Sequence, residues 1–127
     1  MNKDIRILVV DDFKSMRSLI RSVLMKLGFK NVIEADDGAS AWRVLNEEPV
    51  DLVISDWNMP QVKGIDLLRK VRESEQFRTL PFLMVTAEGF KENVIEAVKA
   101  GVSGYIVKPF SPGALEDKLQ KILAKSG

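Results

Sequence analysis

The sequence contains neither cysteine nor histidine among its 127 residues. The absence of cysteine excludes disulfides, thiolate zinc sites, iron–sulfur clusters and cysteine nucleophiles. The absence of histidine excludes Ser-His-Asp triads, histidine-ligated metals and phosphohistidine on this chain. Any chemistry therefore depends on carboxylates, lysines, hydroxyls and the backbone, and any bound metal must be a hard cation with oxygen ligands.

An excess of one charge and long apolar runs are also lacking. Lys and Arg number 19 against 18 Asp and Glu, which gives a net charge of +1. No overall basic field therefore indicates a nucleic acid or an anionic membrane as partner. The first apolar run, 7–10, is too short for a secretory signal, and no later run could span a membrane. We expect one cytoplasmic, monomeric domain over residues 1–127.

Two kinds of apolar pattern alternate along the chain. Nearly continuous, β-branched runs predict strands, and apolar residues at helical spacing predict helices between them. Gly28 is placed to end the first helix, and Ser111 with Pro112 to begin the last. The predicted strands are 5–10, 31–35, 50–55, 82–85 and 105–107, and the helices begin near 16, 37, 64, 92 and 112. This alternation predicts an α/β fold, a doubly wound five-stranded parallel sheet with helices on both faces.

Polar residues follow four of the five predicted strands, and in such sheets the ligand site lies beyond the carboxyl ends of the strands. The residues are Asp11 and Asp12 after the first strand, Asp56 and Asn58 after the third, Thr86 after the fourth and Lys108 after the fifth. Three carboxylates at one edge repel one another unless a cation joins them. Oxygen ligands of this kind suit Mg²⁺.

A site with Mg²⁺ and a lysine is suited to phosphoryl oxygens, because both neutralise their charge. A carboxylate can itself be the nucleophile and form an aspartyl-phosphate. Asp56 is the best candidate for that role, since it stands alone at the tip of a central strand. The Thr86 hydroxyl could then donate to a phosphoryl oxygen.

Each residue taken singly has a simpler interpretation. Asp12 could cap the first helix, and Asp56 could cap a turn. Thr86 could be a strand-end residue or the next helix cap, and Lys108 could be a solvated loop lysine. Packing is the simpler interpretation of the aromatic residues Trp57 and Tyr105. The agreement of four strand ends on one phosphate and magnesium site is what favours the functional interpretation.

These motifs resemble the receiver domain of bacterial two-component response regulators, and within that family the single-domain chemotaxis regulators. The resemblance extends over 5–123. The motifs that carry it are Asp11-Asp12, Asp56 with Met59-Pro60, Thr86-Ala87 and Lys108-Pro109. It implies a flavodoxin-like receiver fold.

The resemblance also implies a role for each matching residue. Asp56 would take a phosphoryl group from the phosphohistidine of a sensor histidine kinase. Asp12, Asp56 and the backbone carbonyl of Asn58 would bind Mg²⁺ directly, with Asp11 acting through water. Lys108 would pair with the phosphoryl group.

The implied output combines a switch and a partner face. Thr86 would move toward the phosphate while the ring of Tyr105 turns inward, and the Lys108–Pro109 bond would be cis. Asn58 and Glu88 would influence the hydrolysis of the acyl phosphate. The partner face would be the fourth helix, fifth strand and fifth helix, with Val94, Tyr105 and Lys118. One segment departs from the best-known chemotaxis regulators: Gly89-Phe90-Lys91 replaces a more basic run, so Phe90 is either helix packing or a changed partner contact.

Three function classes are compatible with these residues and this resemblance. The first is a phosphorylation-switched module that binds the flagellar motor switch protein, with a phosphatase as a possible further partner. The second is a stand-alone phosphorelay or phosphate-sink receiver with a histidine phosphotransfer partner. The third, a Mg²⁺-dependent phosphatase, is disfavoured because such enzymes place Asp-x-Asp after the first strand, where this chain has adjacent Asp11-Asp12. A flavodoxin-like cofactor binder is weaker still, since no Ser/Thr/Gly-rich loop follows that strand. We therefore expect a signalling switch that catalyses only its own phosphorylation and dephosphorylation.

Overall fold

The computed structural model describes residues 1–126, in which strands and helices alternate as predicted. The strands are β1 (Arg6–Val10), β2 (Asn31–Ala35), β3 (Leu52–Ser55), β4 (Phe82–Thr86) and β5 (Gly104–Val107). The helices are α1 (Lys14–Lys26), α2 (Gly38–Glu47), α3 (Gly64–Glu73), α4 (Lys91–Lys99) and α5 (Pro112–Ser126). No helix in this described part of the chain is both long and apolar enough to cross a bilayer.

The five strands form one parallel sheet in the order β2-β1-β3-β4-β5. The predicted doubly wound α/β architecture is confirmed. From β1, the chain adds β2 on one side of the sheet and then crosses back to add β3, β4 and β5 on the other side. The order therefore reverses between β1 and β3. In open sheets of this kind, ligands bind at that reversal, outside the carboxyl ends of the strands.

Side chains of the central strands point alternately to the two faces of the sheet, which explains why the strand sequences are continuously apolar. In β1, Ile7 and Val9 pack with one core cluster, and Leu8 and Val10 with the other. The first cluster includes buried residues of α1 and α5, and the second includes buried residues of α2, α3 and α4. Helices therefore cover the sheet on both faces, and this packing supports the carboxyl ends of the strands, where the polar residues lie.

The residues predicted to end the first helix and to begin the last do so in the structure, and the start of the second helix differs. Gly28 has a φ of 103° just beyond α1, a conformation that glycine adopts without strain. The Ser111 hydroxyl accepts the backbone N–H of Ala114 at 3.1 Å, and Pro112 is the first residue of α5. Asp37, predicted to lie inside the second helix, instead caps α2 by accepting the backbone N–H of Ser40 at 2.7 Å.

The bounds of four strands differ from the prediction by one or two residues, whereas those of β2 agree with it. The third strand begins at Leu52 rather than at residue 50. Just before it, the Asp51 carboxylate accepts the backbone N–H of Arg6, and the Asp51 backbone N–H donates to the Arg6 carbonyl, both at 2.8 Å. A side-chain hydrogen bond thus takes the place of the first backbone hydrogen bond between β1 and β3. The apolar pattern of the sequence does not reveal this substitution.

Candidate functional site

The predicted site residues meet at the carboxyl edge of the sheet. Asp11 follows β1, Asp56 follows β3, Thr86 ends β4 and Lys108 follows β5. Because the strands are parallel and in register, with Val10 opposite Ser55, Asp11 and Asp56 leave neighbouring strands at the same level. The topology therefore brings together residues that lie up to 97 positions apart in sequence.

Asp11, Asp12 and Asp56 form an acidic cluster. One carboxylate oxygen from each lies within 4.8 Å of the others. Asp11 and Asp56 are 1% and 7% exposed, whereas Asp12 is exposed. Two ligand oxygens are thus fixed in the protein and the third faces solvent, an arrangement that could hold a hydrated divalent cation.

Lys108 faces this cluster. Its Nζ lies 2.8 Å from Oδ2 of Asp11 and 3.5 Å from Oδ2 of Asp56, and its side chain is only 15% exposed. The alternative of a solvated loop lysine is therefore wrong. One ammonium group cannot balance three carboxylates, so the site keeps a negative field that attracts a cation.

Asp56 is held by contacts on both its backbone and its side chain. Its backbone N–H donates to the Val10 carbonyl at 2.9 Å, and its Oδ1 accepts the Trp57 N–H at 2.7 Å. The interpretation of Asp56 as a turn cap therefore applies to Oδ1 alone, because Oδ2 faces Lys108. Its carbonyl is approached so closely by Gly64 that a Cβ there would lie 1.9 Å from the oxygen.

Asp11, rather than Asp12, shapes the start of α1. Oδ1 of Asp11 accepts the backbone N–H of Phe13 at 2.9 Å, and Phe13 occupies the N-cap position with no side-chain cap. The interpretation of Asp12 as a helix cap is wrong. Its carboxylate instead stands exposed at the cluster.

Thr86 lies at the edge of the site, fully buried at the end of β4. Its hydroxyl accepts the backbone N–H of Glu88 at 3.3 Å, and its carbonyl accepts the backbone N–H of Lys108 at 2.8 Å. It is not the cap of α4, whose N-cap is Phe90. Lys108 itself is joined to Pro109 by a cis peptide bond.

Glu88 connects the site to β5. Its carboxylate accepts a hydrogen bond from the side-chain amide of Asn58, and its backbone carbonyl accepts one from the Tyr105 hydroxyl. Burial, reinforced by the negative charges of Glu88 and Asp56, raises the pKa of Tyr105 to about 12. The phenol is thus a neutral donor tied to the β4–α4 loop.

A family model for the response regulator receiver domain matches residues 7–120. The chain belongs to the response regulator receiver family. It is 50% identical over 125 residues to the chemotaxis protein CheY-3 of Vibrio cholerae serotype O1, covering 98% of this chain and 96% of that protein. It is 50% identical over 120 residues to the chemotaxis protein CheY of Pseudomonas aeruginosa, covering 94% and 97%.

Solved receiver structures share the fold. The chemotaxis response regulator CheY4 of Vibrio cholerae superimposes with a TM-score of 0.86 at 34% identity, covering 94% of this chain and 98% of that one. The receiver domain of a sensor histidine kinase from Pseudomonas aeruginosa superimposes with a TM-score of 0.85 at 27% identity, covering 95% and 98%. That structure has a magnesium ion coordinated in its active-site cleft.

In this receiver, the residues that the resemblance assigned to a partner face belong to other elements than the three carboxylates of the acidic cluster. Val94, Tyr105 and Lys118 are half-buried positions on α4, β5 and α5. Phe90 is 73% exposed at the start of α4, so the interpretation of Phe90 as helix packing is wrong. Its ring adds apolar surface at the start of α4, and Val98 near the end of the same helix is also exposed.

Sequence reasoning missed the support around the cluster. The Arg17 guanidinium donates to the Asp11 carbonyl at 2.7 Å and to Glu34 at 3.0 Å. Gly64 was predicted only as a helix start, without its contact with Asp56. One signal was available for Glu34: a charged residue inside a predicted strand, which becomes informative once β2 is known to pair with β1.

Proposed function

We propose that this receiver is a phosphorylation-activated response regulator of chemotaxis. Asp56 takes a phosphoryl group from a sensor histidine kinase, and the phosphorylated form binds the flagellar motor switch protein. The observation that carries the proposal is the convergence of Asp11, Asp12 and Asp56 with Lys108 at 2.8 Å and 3.5 Å from two of the carboxylates. The names of the two relatives at 50% identity support chemotaxis as the setting.

The residues present fit Mg²⁺. The cluster supplies hard oxygen ligands, and its open side leaves room for the waters that Mg²⁺ keeps. Asp12 and Asp56 would bind it with the backbone carbonyl of Asn58, and Asp11 would act through water. The magnesium ion in the histidine-kinase receiver supports this assignment. When bound, the ion supplies charge neutralisation for phosphoryl oxygens.

The residues of the chain then serve one transfer reaction. A carboxylate oxygen of Asp56 forms a bond to phosphorus while the phosphorus–nitrogen bond of the donor phosphohistidine breaks, and the product is an acyl phosphate. The hydrogen bond from Trp57 N–H orients the carboxylate. Lys108, already directed at both buried carboxylates, pairs with the incoming phosphoryl oxygens.

The phosphoryl group acts as a switch only if it stabilises one conformer more than another. Thr86 is suited to that role, because its hydroxyl now accepts from the loop amide of Glu88 and would donate to a phosphoryl oxygen after moving. Tyr105 is bonded to the same loop, so its ring reports the loop position on the α4-β5-α5 face. That face, with Val94, Lys118 and the exposed ring of Phe90, is the proposed surface for the motor switch protein.

The phosphoryl group is accepted and later hydrolysed on Asp56 of the chain itself, so the protein is a signalling switch rather than an enzyme that turns over an external substrate. A separate phosphatase could shorten the life of the acyl phosphate. A stand-alone phosphorelay or phosphate-sink receiver would use the same cluster, and the likeness to a receiver from a histidine kinase supports that alternative. Binding to the motor switch protein, compared with back-transfer to a histidine phosphotransfer protein, separates the two outputs.

The test of the proposal is phosphorylation by a small acyl-phosphate donor in the presence of Mg²⁺. Wild type should gain one base-labile phosphoryl group by mass spectrometry, and Asp56→Asn should gain none. Asp66→Asn, an exposed carboxylate on α3, is the matched control and should behave as wild type. Undiminished phosphorylation of Asp56→Asn would remove this residue from the role.

A further inference from the structure

Arg17 on α1 joins two parts of the molecule that are distant in sequence. Its Nη1 donates to the Asp11 carbonyl at 2.7 Å, and its Nε donates to Oε1 of Glu34 at 3.0 Å. The Arg17 side chain is only 15% exposed. Glu34 lies on β2, and its second oxygen accepts from Arg21 at 3.1 Å. The guanidinium therefore bridges the β1–α1 loop to the neighbouring strand.

This bridge completes the support of Asp11. The Asp11 backbone N–H donates to the Ala35 carbonyl at 3.2 Å, and the two carboxylate oxygens accept from Phe13 and Lys108. The remaining polar group is the carbonyl, and Arg17 binds it. With that bond, each polar group of Asp11 has a protein partner.

The Asp11 carbonyl belongs to the planar peptide unit that leads into Asp12. Fixing the carbonyl fixes the plane, and with it the positions of the Asp12 nitrogen and Cα from which the side chain leaves the backbone. Within the described part of the chain, the Asp12 carboxylate has no hydrogen-bond donor of its own. Its placement beside Asp56 therefore depends on the backbone that Arg17 holds.

We propose that Arg17 is a positioning residue for divalent-cation binding, anchored by Glu34, that sets the Asp11–Asp12 pair against Asp56. The inference rests on the Mg²⁺ site of the proposed function. Partners of ligand-bearing groups typically change metal affinity about 10-fold or more when they are removed. We expect Arg17→Met to raise the Mg²⁺ dissociation constant about 10-fold.

The sign of the effect distinguishes positioning from simple charge. Arg17 is a cation close to a cation site, so its removal would tighten Mg²⁺ binding if only Coulomb forces mattered. Weaker binding after the loss of a positive charge requires a geometric cause. Methionine keeps the helix propensity and much of the apolar stem of arginine.

Arg21→Met is the matched control. Arg21 lies one helical turn further along α1 and contacts the same glutamate, but it makes no bond to Asp11. Its variant should bind Mg²⁺ as wild type does, or slightly more tightly. Arg17→Lys keeps the charge and can still donate to the Asp11 carbonyl, although it lacks the fork that reaches both partners. Its dissociation constant should lie between those of wild type and Arg17→Met.

Two measurements test the proposal. Isothermal titration with Mg²⁺ gives the dissociation constants, and hydrogen exchange of the Phe13 amide in metal-free protein reports the Asp11 support directly. Exchange should be faster in Arg17→Met and unchanged in Arg21→Met. If wild type failed to bind Mg²⁺, the metal part of the proposed function would be wrong, while the amide exchange would still decide whether Arg17 supports Asp11.

Equal or tighter Mg²⁺ binding by Arg17→Met, with wild type binding normally, would overturn the inference. The same holds for unchanged Phe13 exchange. If Arg17→Met did not fold, Arg17→Lys would decide, and wild-type values in both measurements for that variant would also overturn it.

Discussion

Replacement of Gly64 by alanine should lower the stability of the fold and displace Asp56, the proposed phospho-acceptor. The added Cβ would lie 1.9 Å from the Asp56 carbonyl oxygen, 2.9 Å from its carbonyl carbon and 3.1 Å from Cα of Trp57. These are backbone atoms, so no side-chain rotation relieves the contact. The oxygen and the Cβ must separate by about 1.5 Å to reach the shortest ordinary contact of 3.4 Å.

The magnitude follows from two costs and one gain. Forcing an extra carbon into a packed region costs about 1–3 kcal/mol, and loss of the 2.8 Å bond from Gly64 N–H to the Trp57 carbonyl costs about 1 kcal/mol. Alanine regains up to about 1 kcal/mol of helix propensity. We expect a net loss of about 2 kcal/mol in the free energy of unfolding, or roughly 8 °C in Tm. The fold should survive, since domains of this kind are stable by about 5–15 kcal/mol.

Function should fall more steeply than stability. A shift of the Asp56 backbone by about 1 Å would move the proposed nucleophile, and misplacement on that scale can reduce a reaction rate about 100-fold. Urea titration measures the stability of the variant, and phosphorylation by a small acyl-phosphate donor measures its rate.

The control is Gly113→Ala, at a glycine whose nearest atom to an added Cβ is the Ser111 hydroxyl at 4.0 Å. That variant should gain about 0.4–1 kcal/mol and keep its phosphorylation rate. A Gly64→Ala protein with wild-type stability and rate would refute the steric argument.

Two further predictions concern the switch. The chain has one tyrosine, so its ultraviolet absorbance titrates Tyr105 alone; the midpoint should lie near 12 rather than 10, and a midpoint near 10 would contradict the buried phenol. Tyr105 ionises at a lower pH in the unfolded chain than in the folded protein. The free energy of unfolding should therefore be unaffected by Tyr105 below pH 10 and should fall between about pH 10 and 12. A beryllofluoride mimic of the phosphoryl group should tighten binding of the motor switch protein about 5–150-fold, and Thr86→Ala should keep phosphorylation but lose most of this tightening. Thr79→Ala, at an exposed threonine, is the control, and full tightening in Thr86→Ala would exclude Thr86 from the switch.

Much of the fold could be predicted from the sequence because two simple periodicities determine it. Continuously apolar segments such as 82–85 indicate strands buried on both faces, and apolar residues at helical spacing indicate the helices that cover them. The errors lie where side chains replace the regular pattern. Asp51 substitutes for a rung at the start of β3, and Asp37 caps α2 from outside the helix.

The cluster itself was predictable because parallel strands end at one edge. Asp11, Asp12 and Asp56 each follow a strand, and no detailed geometry was needed to bring them together. Its supports were not predictable in the same way. The contact of Arg17 with Glu34 requires β2 to lie beside β1, and the close approach of Gly64 to Asp56 requires the chain to turn back after β3.

The contacts of Glu88 connect the acidic cluster to β5, and so to the proposed partner face. One residue offers its carboxylate to Asn58 beside the cluster and its carbonyl to Tyr105 on β5. The sheet behind them is buried on both faces and resists movement, whereas the β4–α4 loop depends on a few hydrogen bonds. In the proposed switch, a phosphoryl group that drew the Thr86 hydroxyl toward itself would remove the acceptor of the Glu88 amide. The loop would then lose one of the bonds that hold it, and the Tyr105 hydroxyl, which is bonded to the Glu88 carbonyl, would follow the loop. In the proposed switch, the link between the acidic cluster and the proposed partner face therefore lies in the β4–α4 loop rather than in the strands.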